Sequence, residues 1–148
     1  MKAIVGSDHA GINGRKNAIE VLSQRGWDIE EKGPEASEDR ADYPDIAHLI
    51  ATAVTTGEAQ LGVLVCGTGQ GMAMTANRYS GARAAVITDA FTAEMARAHN
   101  DANIACFGER VIGQEQISIH LQTFLDTPFE GGRHEARVGK IDKVTGGA

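Results

Sequence analysis

Cys66 is followed by glycines at 67, 69 and 71, in the stretch "VLVCGTGQGM". Such a nearly bare backbone lets successive N–H groups converge on one point. A helix starting near residue 70 would add its positive end. This loop can hold a phosphate, or a negative charge that arises only during reaction. The same field favours a thiolate over a thiol, which makes Cys66 a candidate general base or nucleophile. The plainer alternative is a small buried cysteine beside a tight turn. The loop by itself does not separate the two.

Three further stretches carry polar groups. "GSDHAG" puts Asp8 and His9 after the first apolar segment, and "RAHNDAN" puts His99 and Asn100 at a helix end. "GGRHEAR" sets Arg133 and Arg137 four apart, on one face if helical, and paired arginines suit a phosphate. Each has an ordinary alternative: a capping Asp and a surface His, a helix-terminal His, a solvated basic tail. Neither glycine loop is a nucleotide loop. "GSDHAG" continues with Ile12 and Asn13 rather than Lys and Ser or Thr, and Met72 stands where a dinucleotide fingerprint needs its third glycine. Metal chemistry has little support, because the five histidines are scattered, "HEARV" is not His-Glu-x-x-His, and cysteines are not paired.

Alternating elements must position these groups. Residues 3–5 read as a strand, followed by a helix to about Arg25 with Ile12, Ile19 and Leu22 on one face. Residues 27–31 alternate as a weaker edge strand. Residues 33–42 form a loop whose last residue, Asp42, is placed to cap a helix carrying Tyr43, Ile46, Ile50 and Val54. Residues 61–65 are continuously apolar, as in a strand buried on both faces. A strand at 83–88, a helix at 90–99, a strand at 103–107 and a long helix marked by Ile117, Leu121, Phe124 and Leu125 complete the pattern. The order predicts an α/β sandwich with a parallel sheet of about five strands. In such sheets ligands sit at the carboxyl ends of strands, where the Gly6–Gly11 and Cys66–Gly71 loops fall. After Asp126 the chain is basic, glycine-containing and without a core stripe.

The 148 residues suit one domain, 1–148, and 18 glycines with few aromatics fit elements joined by tight loops. A net charge of −6 and pI near 5.3 argue against nucleic acid as partner. No stretch is apolar enough for a membrane span or signal peptide, and two cysteines make no disulfide framework. The expected location is the cytoplasm.

Taken in order, "GSDHAG", "DYPD", "VLVCGTGQGM", "TAN", "RAHNDAN" and "FEGGRHEARV" resemble the ribose-5-phosphate isomerase B family, over residues 3 to 141. That family includes allose- and galactose-6-phosphate isomerases. The resemblance implies a Rossmann-like α/β/α fold and a homodimer with active sites shared between subunits; a tetramer is left open. It implies aldose–ketose isomerisation through a cis-enediolate, with no metal or organic cofactor. By the resemblance Cys66 is the base at C2, His99 opens the sugar ring and Thr68 assists. Gly67, Gly69, Gln70 and Gly71 belong to the loop that holds the enediolate oxygen. Asp8 and Asn100 match ligands of sugar oxygens; His9, Arg110, Arg133 and Arg137 match phosphate contacts; Tyr43 lies in the matching "DYPD". One branch of the family uses a Glu six positions after the cysteine; Met72 stands there, so this chain resembles the cysteine branch.

Residues 129–148 are expected to reach the partner subunit. The expected substrate is ribose 5-phosphate. Galactose or allose 6-phosphate, a tetrulose 4-phosphate and unphosphorylated aldoses remain alternatives. From other classes, a non-catalytic sugar-phosphate sensor would have no need of Cys66 or His99, and a Cys-His hydrolase would form a covalent intermediate.

Overall fold

The computed structural model describes residues 1–144. Five strands form one sheet: β1 (Lys2–Ser7), β2 (Asp28–Lys32), β3 (Leu61–Cys66), β4 (Ala84–Val86) and β5 (Ile104–Gly108). All pairings are parallel, in the order β2-β1-β3-β5-β4. This is the predicted α/β class. β3 lies at the centre and all six of its residues are buried, which explains its unbroken apolar run.

Helices α1 (Ile12–Gln24), α4 (Ala90–Ala98) and α5 (Glu109–Asp126) cover one face of the sheet. α2 (Tyr43–Thr55) and α3 (Gln70–Ala76) cover the other. Leu22, Phe107, Leu121 and Phe124 fill the first layer; Ile4, Ile50, Leu64 and Met72 fill the second. Each such side chain stabilises the fold by about 1.5–3 kcal/mol when withdrawn from water. α5 is broken at Gly113, where φ is 80°, so the helix proper begins beyond it and carries the predicted stripe.

The edges differ from the sequence reading. β4 spans three residues, Ala84–Val86, rather than 83–88, and pairs with β5 through all three. Asn77 Nδ2 donates to Ala84 O and Ala84 N–H donates to Asn77 Oδ1, both at 2.8 Å. A side chain thereby covers the exposed edge. β2 is the opposite edge, as expected. Asp42 occupies the N-cap position of α2, but its side chain makes no capping hydrogen bond; Tyr43 and Pro44 start the helix instead. After Asp126 the chain crosses to a short helix, α6 (Arg133–Val138), and a 3-10 turn at Asp142–Val144. The last four residues of the expected C-terminal segment, 145–148, lie outside the described residues. No helix among the described residues is long and apolar enough to cross a membrane.

Candidate active site

From β1 the chain steps to β2 on one side, then to β3 on the other. The crevice beyond the carboxyl ends of β1 and β3 is therefore the switch point where open α/β sheets bind ligands. It holds a cavity of about 390 Å³, in the range of small-molecule sites. Asp8, His9, Tyr43, Cys66, Gly67, Thr68, Gly71 and Arg110 line it, together with Ala10 and Met74.

Backbone geometry builds this cleft. Cys66 ends β3 and pairs with Gly108, the last residue of β5. That register puts Arg110 beside the glycine loop, where its N–H donates to Gly67 O at 3.1 Å. Gly69 adopts φ 79°, a conformation that favours glycine, and its N–H donates to Cys66 Sγ at 3.1 Å. A backbone donor aimed at sulfur is the contact a negatively charged sulfur needs. The sulfur is nearly buried, whereas Thr68 and Gln70 are exposed around it. Gln70 N–H faces Thr68 Oγ1 at 3.4 Å. Gly71 passes so close to the Tyr43 ring that an added Cβ would lie 2.5 Å from it. Met72 is fully buried in the core layer beneath. Position 72 can offer no base to the cleft.

The first loop is pinned as firmly. Asp8 is buried, and its Oδ1 accepts from Ala10 N–H at 2.9 Å. The Asp is thus both a turn cap and a wall of the cleft. His9 Nδ1 meets the Ala41 backbone at 3.3 Å. That segment is fastened by Arg15, which is buried in α1. Arg15 donates to Ser7 Oγ at 2.9 Å and to Pro34 O at 2.6 Å, and pairs with Glu31 at 2.8 Å. The second cysteine, Cys106, is wholly buried in β5; burial pushes its thiol well up, so it stays protonated and inert.

The remaining expected residues lie elsewhere in the chain. α4 runs back against the strands, so His99 at its C-terminus sits where the strands begin. Arg97, Asp101 and Asn103 there share a cavity with Met1 and Leu61, at the starts of β1 and β3. A strand of this length spans about 17–20 Å. Cys66 and His99 are thus at opposite ends of the sheet, and one chain cannot assemble them into a Cys-His pair. Asn100 opens on a third cavity beside β4, with Arg83 and Asp142.

The His99 end is held by side chains. Asp101 has φ 47°, unusual outside glycine, and is gripped by Arg97 at 2.9 Å and Arg83 at 3.3 Å. Glu130 N–H donates to Ala98 O at 3.0 Å and brings α6 against α4. His134 of α6 is buried and stacks on His99, with ring centroids 4.1 Å apart. Arg133 and Arg137 share α6 and are exposed beside this stack. The C-terminal segment therefore has a packing role that its composition did not reveal. Sequence reasoning missed Glu130 and His134, although their i, i+4 spacing in "EGGRH" was visible.

A family model described as Ribose/Galactose Isomerase matches residues 3–141. Ribose-5-phosphate isomerase B of Escherichia coli is 39% identical over 143 residues, covering 97% of this chain and 95% of that protein. A probable ribose-5-phosphate isomerase B of Mycoplasma pneumoniae is 42% identical, over 93% and 90%. Among solved structures, the Clostridium thermocellum ribose-5-phosphate isomerase B superposes with TM-score 0.95 at 41% identity, covering 99% of both chains. The Mycoplasma genitalium ribose-5-phosphate isomerase B, solved with bound ribulose-5-phosphate, superposes at 0.93 with 34% identity, over 99% and 97%. Fold, switch-point cleft and near-complete coverage agree: this chain belongs to the ribose/galactose isomerase family and is an isomerase.

Proposed function

We propose that the protein interconverts ribose 5-phosphate and ribulose 5-phosphate through a cis-enediolate, in sites completed by a second copy of the chain. The observation that carries this reading is the Cys66 sulfur, at the switch-point cleft with a loop N–H aimed at it. The thiolate of Cys66 takes the proton from C2 and returns it to C1, while a proton moves from O2 to O1. Backbone donors of Gly67–Gly71 stabilise the oxygen charge that develops meanwhile, with Thr68 beside them. Arg110 supplies positive charge and His9 a ring N–H to the phosphate, and Asp8 and Tyr43 bound the sugar.

His99 opens the ring, but its place at the far end of the sheet prevents it from doing so within its own chain. The same holds for Arg133 and Arg137 on α6. A second copy laying its His99 end over the Cys66 cleft supplies all three, with Asn100. The family-named relatives support the substrate. Allose 6-phosphate, galactose 6-phosphate and a tetrulose 4-phosphate are the comparison sugars.

Mixing two nearly inactive variants tests the reading. Cys66→Ala and His99→Asn should each turn over substrate about 10²-fold or more below wild type. Half of the randomly assembled dimers are mixed, and each mixed dimer has one intact site. Mixing unfolded chains and refolding them should restore about a quarter of wild-type activity. An active wild type with no recovery in the mixture would reject shared sites. A wild type inactive on ribose 5-phosphate would reject the substrate.

A further inference from the structure

The "EGGRH" turn does more than carry arginines. Gly131 and Gly132 have φ of 66° and 55°, both left-handed, which is where glycine is needed. They reverse the chain so that Glu130 and His134 both face His99. His134 Nε2 lies 3.3 Å from Glu130 Oε2, and the same oxygen lies 3.8 Å from His99 Nε2. The two imidazole planes are 14° apart.

A shared metal ion fits this arrangement poorly. An imidazole binds a metal along its in-plane lone pair. Two stacked, nearly parallel rings aim those lone pairs side by side, so they cannot meet at one ion without a ring turning. A carboxylate reached by both ring edges suits proton handling instead. Burial, with His99 and Arg133 close by, holds His134 below the ordinary histidine range, Arg137 adds to this, and Glu130 opposes it. His134 is therefore a neutral platform stacked against His99.

We propose that His134 and Glu130 are positioning residues for His99: the His134 ring sets the plane of the His99 ring, and the Glu130 carboxylate accepts the His99 N–H during ring opening. This rests on the isomerase reading above. Ring opening is a step separate from proton abstraction by Cys66, and the pair acts on the first of them. Glu130 is bound to the Ala98 carbonyl through its backbone, so its carboxylate stays near His99 in the absence of sugar. The 3.8 Å gap closes with a small movement, as catalytic contacts of ligand-free enzymes commonly do.

The test separates ring opening from proton abstraction. Ribulose 5-phosphate has its ketone at C2 and its phosphate on O5, so it cannot close a furanose ring. Its C1 hydrogen exchanges with solvent through the enediolate without any ring step. Glu130→Gln is isosteric at a half-exposed side chain, so folding is unaffected. In that variant, kcat on ribose 5-phosphate should fall roughly 10- to 100-fold, as for an outer partner of a functional histidine. KM, and C1 exchange of ribulose 5-phosphate in heavy water followed by NMR, should stay within about twofold. His134→Phe keeps a flat ring under His99 and should lose less than His134→Ala.

Unchanged turnover in Glu130→Gln and His134→Ala would overturn the proposal. So would a parallel fall of turnover and exchange, since that marks general damage to the fold. If wild type turns over a different aldose phosphate, the substrate reading fails alone and the same comparison is made with that sugar. No turnover of any aldose phosphate overturns both.

Discussion

The two ends of the sheet are built by different means. At the carboxyl end, Cys66 is surrounded by backbone: Gly67, Gly69, Gly71 and Gly108 bring peptide groups where side chains would otherwise stand. Its geometry is set by strand register and cannot relax without moving the core. At the opposite end, His99 is placed by side chains, through its stack on His134 and the arginine grip on Asp101. That end lies on a helix terminus and a late-added short helix, both near the surface. An anion cradle needs fixed dipoles, which backbone supplies at no cost in reorganisation. A proton shuttle needs a ring held in a set plane, which the stacked His134 ring supplies.

The contrast can be broken at three points. Removing the sulfur should have the largest effect. Cys66→Ala should lower kcat by about 10²- to 10⁴-fold, the worth of a positioned base. Inorganic phosphate should still bind with near wild-type affinity, and isothermal calorimetry on the variant checks this. Turnover close to wild type would remove Cys66 as base.

Gly108→Ala attacks the backbone itself. Its Cβ would lie 2.6 Å from the Thr68 carbonyl carbon, a group that cannot swing away. Overpacking of this kind costs about 1–3 kcal/mol. A lowered melting temperature should accompany reduced activity. A stable but inactive protein would mean that the loop yields without the core.

Acid should act on the other end and least in size. His134 is held below the ordinary histidine value of 6.5 by burial first. The docked form thus binds fewer protons than the undocked one. The docking energy is fully present above that value and declines as pH falls through the lower, folded one. Hydrogen exchange, corrected for its intrinsic pH dependence, should quicken across residues 131–139 between pH 7.5 and 5.5. β3 and β5 should stay protected. His134→Phe should remove the effect, and equal loosening of the strands would refute the contrast.

Much of the fold was legible because it depends on neighbours in sequence. The unbroken "LGVLV" announced a doubly buried strand, and the spacing of Ile46, Ile50 and Val54 announced α2. The extent of β4 was overestimated, and the Asn77 amide that covers its outer edge left no periodic trace in the sequence. In the site, the glycine loop and Asp8 were readable as types at fixed offsets. Arg110 was placed only by the pairing of Cys66 with Gly108, which joins residues 42 apart.

The sequence by itself determined the α/β class, the cleft-forming loops and the candidate base, because periodicity and residue type are properties of short stretches. Tertiary structure alone decided that Cys66 and His99 face opposite ends of the sheet. Strand order and the reversal of α4 are properties of the whole chain. So too is the meeting of His99 with Glu130 and His134, which lie more than thirty residues beyond it and are turned inward by two left-handed glycines.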